Sequence, residues 1–393
     1  MKSNKIKPVR SLISAITAAI LAASLLAVPA AAEEQDSEST SSTSAIATSE
    51  NPADATADTT EENDTKPEAG TIDLDSDWIS FFLICNEGMS DRGGNSGNTL
   101  MVMAMNQKTG KIRLAPFGWD TFMQYEGYDA PQRMDMAYRN GGPEEAIKVF
   151  NANMDTDINL FMSLNFLNLA TLINDYGGVI VDVSRAERNA LNGMVSSKKE
   201  DILNSEDSTM LSEMAAEMLA EEYYLNEFGE ETHLNGLQAA GYGWLQYDSV
   251  YNCCHRDAEV IGNLFKSLGE SMSEQVVFYT NEYDVPEVTD SRRIINLDEL
   301  TEEDEEFLKN ALAPIFDTSY NNLPEESTMK VAEALARASY LASRQGIDIM
   351  DQLEYEVFPL ELTEPVDKIA GAEGHSIDYE ANAKALNEFL YAE

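Results

Sequence analysis

The sequence predicts a layered α/β protein. Three observations carry that reading: two short apolar runs, WISFFLIC at 78–85 and LMVMAM at 100–105, that suit buried strands; a turn at Gln107 to Gly110 that leads into Ile112 to Ala115; and a helical repeat that stops at Gly177-Gly178 just before VIVDV. Helix followed by strand after a buried hairpin implies helices stacked on a sheet.

The elements follow in order. Order begins at Trp78, and the two apolar runs with their turn make a hairpin within a buried sheet. Pro143 suits the first position of a helix, because its fixed φ and missing N–H cost nothing there, and Ala146, Val149 and Phe150 then share one face. Phe166, Leu169, Ile173 and Tyr176 recur at helical spacing, and the two glycines after them end that helix. Asp207 to Phe228 is helical by composition, with Met210, Met214, Leu219 and Tyr223 as a packing face. Val260, Ile261, Leu264, Phe265 and Leu268 define another amphipathic helix, and an acidic patch at Glu302 to Glu306 follows. Val331, Leu335, Ala338 and Ala342 form a small-residue face that predicts close packing or partial exposure on a helix ending at Gly346, and a last helix lies around Tyr379 to Tyr391.

Ahead of these elements lie two segments of different character. Residues 1–32 read as a secretory signal: Lys2, Lys5, Lys7 and Arg10, then an uncharged, largely apolar stretch from Ser11 to Val28, then Ala30-Ala31-Ala32. An uncleaved membrane anchor is the competing reading, since the stretch is just long enough to span a bilayer. Residues 33–72 are rich in Ser, Thr, Ala, Asp and Glu, too polar to offset the entropy of ordering, and read as a disordered tether. Residues 73–393 remain for the folded domain and its helical C-terminal extension.

The net charge is -44. The acidity is not a tail effect, since residues 71–393 hold 59 Asp and Glu against 21 Lys and Arg. Such a surface repels nucleic acid and anionic lipid at long range, which excludes a nucleic-acid partner and leaves membrane contact to the N-terminal segment or a lipid substrate. Three cysteines, two of them adjacent at Cys253-Cys254, cannot build the even framework of a disulfide-stapled domain. Cys253-Cys254-His255 also lacks the second ligand pair a structural zinc needs. Asp73, Asp75 and Asp77 evoke a calcium loop, but Trp78 stands where Gly is needed and Ile84 where the closing Glu belongs.

Five stretches carry the chemistry: TLMVMAMN at 99–106, PFGWDT at 116–121, RMDMAYRNGGPE at 133–144, NFLNLATLINDYGGVIVDV at 165–183 and HLNGLQAAGYGWLQY at 233–247. They resemble the LytR-CpsA-Psr family, extracytoplasmic phosphotransferases of bacteria with cell walls. The resemblance covers residues 78 to about 268 and takes in the ending FPLELTEPVDKIAGAEGHSIDYEANAKALNEFLY. It implies a three-layer α-β-α sandwich with a central mixed sheet. It also implies a polyprenyl-pyrophosphate-linked glycopolymer whose lipid lies in a hydrophobic channel, and transfer of that polymer to peptidoglycan, generally with Mg2+.

The family's charged groups are mostly replaced. Arg-Ser-Asp-Thr reads Ser96-Gly97-Asn98-Thr99, and Pro-Arg-Asp-Thr reads Gly118-Trp119-Asp120-Thr121. Lys-Ile-Asn-x-x-Tyr reads Arg133-Met134-Asp135-Met136-Ala137-Tyr138, which keeps a cation and the tyrosine. Leu234 to Ala239 matches, but Tyr-x-Arg-x-Arg has become Tyr242-Gly243-Trp244-Leu245-Gln246, and Arg-x-x-Arg-Gln has become Cys253-Cys254-His255-Arg256-Asp257. The resemblance therefore implies Asp120 as the catalytic and metal-binding carboxylate, and Glu87 and Asp91, by their place in the loop before the second strand, are candidates to supplement it. It implies Asn98, Trp119, Arg133, Tyr138, Trp244, Gln246 and Arg256 as the substrate-binding set.

Moving a pyrophosphate requires guanidinium forks and a divalent cation to neutralise charge as the bond breaks. Losing one transition-state donor costs ~2.7–4 kcal/mol, so losing several suppresses turnover. Bland roles compete: Asp120 after Gly118 also fits a turn cap, and Arg256 on so acidic a chain also fits an ion pair. Three readings stay open: a glycopolymer-binding protein with weak or no transfer, a phosphotransferase with a rebuilt site, and an acidic cell-surface interaction module on the same scaffold.

Overall fold

The structure is a computed structural model that describes residues 69–71, 73, 76–86, 97–204, 224–282 and 285–392. The leader at 1–32 and nearly all of the tether at 33–72 lie outside the described residues, as does the Met-lined stretch up to residue 223. The tether's last residues belong to the fold: the Gly70 N–H donates to the Asn322 carbonyl at 2.9 Å and the Thr71 N–H to Asn159 Oδ1 at 2.8 Å. Among the described residues no helix is long and apolar enough to cross a membrane.

The central sheet is mixed and six-stranded. Its strands are β1 (Trp78–Asn86), β2 (Gly97–Asn106), β3 (Ile112–Phe117), β6 (Phe161–Asn165), β11 (Tyr320–Asn321) and β12 (Leu353–Tyr355), in the order β11-β6-β1-β2-β3-β12. The strand β1 runs antiparallel to β2 and parallel to β6, and β12 adds a parallel edge to β3. Side chains alternate across a strand, so the apolar runs serve two cores at once. Phe81, Leu83 and Cys85 with Met101 and Met103 face one core, and Phe82, Ile84, Leu100, Val102 and Ala104 face the other.

Each face is covered by helices, which makes the three layers. On one side lies α1 (Asp135–Met154), where Phe150 packs on Phe82 and Phe117 at ring-centroid distances of 4.9 and 5.2 Å. This helix is broken at Gly141–Gly142, where Gly142 takes φ 71, and restarts at Pro143 as the sequence predicts. The opposite face carries α2 (Phe166–Asp175), and further along the chain come α3 (Arg185–Asn204), α4 (Gly236–Gly243), α5 (Val250–Ser273), α6 (Glu302–Thr318) and α7 (Glu325–Gln345). The last helix, α8 (Tyr379–Tyr391), returns to the α1 side through Leu386 and Leu390.

Local chemistry explains the ends. The acidic patch is the first turn of α6, where Thr301 caps and Glu302, Glu303, Asp304 and Glu305 meet the positive end of the helix dipole. The small-residue face of α7 does pack closely: a Cβ on Gly110 would lie 2.6 Å from the Ala338 nitrogen.

One element departs from expectation. VIVDV forms β7 (Val179–Val183) but stays out of the central sheet and pairs only with β8 (Gly229–Leu234). Its burial alternates, with Ile180 and Asp182 outward, as befits a ribbon covered on one side.

Candidate functional site

The Gly118–Thr121 loop leaves β3 and turns into β4 (Phe122–Met123), with the Thr121 N–H donating to the Gly118 carbonyl at 3.1 Å. Gly118 is required for close approach, because a Cβ there would lie 2.4 Å from Leu362 Cδ2. The turn buries Asp120 at 5 % exposure, and both of its carboxylate oxygens lie 3.0 Å from His375 Nδ1. An ionised carboxylate only accepts hydrogen bonds, so Nδ1 carries the proton.

His375 arrives from the hairpin β13 (Asp367–Ile369) and β14 (Ala372–Gly374). The Phe122 N–H donates to the His375 carbonyl at 2.8 Å, and the His375 N–H to the Asp120 carbonyl at 3.2 Å. Gly374 lets the strands meet, since a Cβ on it would fall 2.1 Å from the Asp120 carbonyl oxygen. The hydrogen bond to Asp120 raises the imidazole pKa above its ordinary value, against burial, which lowers it.

A second pair sits behind Trp119. Arg133, on β5 (Gln132–Arg133), forks onto Asp135 with Nε–Oδ1 at 3.1 Å and Nη2–Oδ2 at 2.5 Å, and its guanidinium stacks 4.7 Å from the Trp119 ring. Burial holds the Asp135 carboxyl above its ordinary value, and the bond from Arg133 offsets this only in part. The Trp119 Nε1 is buried without a hydrogen-bond partner.

The facing wall is the loop between α4 and α5. Arg256, one turn into α5 and 3 % exposed, donates from Nη1 and Nη2 to Asp248 at 3.0 and 2.8 Å and from Nη2 to the Leu245 carbonyl at 2.5 Å. Desolvation pushes the Asp248 carboxyl up, but the bonds from Arg256 and the Ser249 N–H outweigh it and leave it below its ordinary value. Between the two walls opens a cleft of about 560 Å³, lined on one side by Trp119, Asp120 and His375, on the other by Gln246, Asp248, Ser249 and Tyr251, and at the rim by Thr363 and Glu364.

Of the residues expected at the site, Trp119, Asp120 and Gln246 line this cleft, while Arg133 and Arg256 stand one residue behind it, each engaged by a carboxylate. Asn98 lies in β2, with its side chain outside the described residues, and Glu87 and Asp91 fall outside them altogether.

Two expectations are corrected. Trp244 is 1 % exposed, packs on Phe166 at 4.8 Å and donates from Nε1 to Thr99 Oγ1 at 3.1 Å, so its polar tip is satisfied inside the core. Tyr138 is fully buried, and its hydroxyl bonds Ser163 Oγ and Asn86 Nδ2, both at 3.0 Å.

Mg2+ does not fit the described residues. No three His, Cys, Asp or Glu side chains among them converge as a metal site, and His375 takes up both oxygens of Asp120. Sequence reasoning missed His375 and Asp248. The available signals were that His375 is one of only three histidines and that Asp248 sits just ahead of the helix carrying Arg256.

The apolar space between sheet and helices is nearly closed. Phe81, Leu83 and Met103 from the sheet meet Leu172, Leu264, Phe265 and Phe316 around a void of about 30 Å³.

The model of the LytR_cpsA_psr family matches residues 42–267, more than half of the chain. The chain belongs to this family. It is 22% identical over 138 residues to the polyisoprenyl-teichoic acid–peptidoglycan teichoic acid transferase TagU of Bacillus subtilis, covering 35% of this chain and 44% of that protein. The TagU of Bacillus licheniformis is 23% identical over 158 residues, 39% of this chain and 50% of the relative, so the chain spans half or less of the curated relatives it matches. Among solved structures, the gbs0355 protein of Streptococcus agalactiae superposes with TM-score 0.52 at 14% identity, over 80% of this chain and 88% of that one. At such identity the likeness shows the fold, an α/β sandwich of LytR_cpsA_psr type. The family match ends at residue 267, so His375 lies beyond it.

Proposed function

We propose that this chain is an extracytoplasmic envelope protein that binds a wall or polyprenyl-pyrophosphate-linked glycopolymer in the cleft at Asp120 and transfers it poorly. The observation that carries this reading is the state of two guanidinium groups behind the cleft walls: Arg133 is committed to Asp135 and Arg256 to Asp248. A fork already bonded to a carboxylate has to break that pair before it can neutralise a phosphate. Support for the ligand class comes from family membership and from the TagU relatives, whose name couples polyisoprenyl-linked teichoic acid to peptidoglycan. The lining of Trp119, Tyr251, Gln246 and Ser249 offers aromatic faces and neutral hydrogen-bonding groups, which suit a sugar chain.

The test is isothermal titration with a polyprenyl pyrophosphate and with soluble wall polymer, alongside an assay of polymer transfer to peptidoglycan. Binding without appreciable transfer is expected, and absence of binding to either ligand rejects the reading. Transfer at a family-like rate that Asp120→Ala abolishes would instead establish a rebuilt catalytic site.

The acidic interaction module is favoured by one observation, the exposed Glu364 beside Asp248 on the cleft rim. Capture of cationic partners that weakens with added salt supports it, because exposed charge is screened.

A further inference from the structure

Asp120 is the carboxylate that the family resemblance assigns to a metal, yet its surroundings are built for another partner. Both oxygens lie 3.0 Å from the same His375 nitrogen, and the imidazole is itself buried at 5 % exposure. The ring has little freedom to withdraw. Its backbone is bonded on either side, to the Phe122 N–H and the Asp120 carbonyl, and Gly374 before it lies against that same carbonyl. A Mg2+ ion sits ~2.0–2.1 Å from its oxygen ligands and demands near-octahedral space around them, so an ion on Asp120 would have to share both oxygens with a ring that the β13–β14 hairpin holds in place.

The neighbouring carboxylates do not offer an alternative. Asp135, beside Asp120, carries Arg133, and Asp248 across the cleft carries Arg256. Each of these carboxylates thus has its own nitrogen donor, and Glu364 is exposed at the rim.

We propose that His375 stands in for a divalent cation at Asp120, so that ligand binding in this cleft is independent of divalent metal. The proposal rests on the cleft being the ligand site named under Proposed function. What the histidine supplies is an N–H fixed against the carboxylate, a neutralising contact made by the chain itself. The residue providing it lies beyond the 42–267 match of the family model, just after the β13–β14 hairpin.

The chain contains three histidines, His233, His255 and His375, which makes their ring protons a compact set of NMR probes. Mn2+ is titrated into the untagged full-length chain and the three ring signals are followed. Paramagnetic broadening falls off steeply with distance, so an ion on Asp120 would erase the His375 signal first. The expected result is that His375 is broadened no sooner than His233 or His255, both of which are more exposed. Selective loss of the His375 signal at equimolar Mn2+, absent in Asp120→Asn, overturns the proposal, including the case in which Glu87 or Asp91 completes a site. In a second arm, polyprenyl pyrophosphate is titrated in Mg2+ and in EDTA. Equal affinity in the two buffers supports the proposal, and binding that appears only with Mg2+ overturns it. No binding in either buffer removes the glycopolymer reading, while the Mn2+ result still decides the metal question.

Discussion

Cutting the Asp120–His375 contact from each side should give unequal losses. His375→Ala leaves a carboxylate that is 7 % exposed with no charged partner, and stranding a buried charge this way costs ~3–5 kcal/mol. Asp120→Ala instead leaves an imidazole that can shed its proton, so the loss is that of one buried donor, ~1–3 kcal/mol. The double variant should lose less than the sum of the two, because the second removal takes away the group that the first left stranded. The pH dependence has a definite sign. The folded-state pKa of His375 is raised, so its contribution is complete below the ordinary histidine value of 6.5 and fades as pH rises through the folded value. The gap between wild type and His375→Ala is therefore wider at pH 6 than at pH 9. Urea denaturation of the four proteins at both pH values measures all of this. Single losses that add within ~0.5 kcal/mol, with no change in the gap between the two pH values, would refute the coupling.

Gly374→Ala drives a methyl group into the Asp120 carbonyl, and relieving the 2.1 Å approach should cost ~1–3 kcal/mol and displace the His375 ring signal; an unchanged melting temperature and spectrum would contradict this. Trp244→Phe keeps the stacking on Phe166 and loses the bond to Thr99, so it should cost ~1 kcal/mol without altering polymer affinity, whereas Trp119→Ala and Gln246→Ala weaken binding in titration. Cys85, Cys253 and Cys254 are buried free thiols whose pKa values are raised, first of all by desolvation, so a thiol reagent at pH 8 should leave the folded protein untouched and label all three after unfolding.

The layers were legible because their signals are local. The runs at 78–85 and 100–105 read as buried strands from their composition, Gly346 ends its helix in a left-handed conformation at φ 67, and Pro143 restarts one. What escaped is what depends on pairing over distance. The sequence of VIVDV marks a strand but does not say which neighbour it takes, and it took β8 in place of the central sheet. Trp244 looked like a replaced ligand because it stands where the family has a charged motif, yet its burial follows from Phe166 and Thr99, remote in the chain. Asp120 lines the cleft, but its partner is 255 positions away, a relation that no periodicity encodes.

That separation governs the order in which the molecule can be assembled. The turn at Gly118 to Asp120 is made before the strand that flanks β3, at Leu353–Tyr355, and before the hairpin that brings the imidazole. Closing so long a loop is slow, and until it closes one border of the sheet stands unpaired and prone to stray association. The cleft is thus a product of completed folding, since its walls meet only once Asp120 and His375 have been brought together.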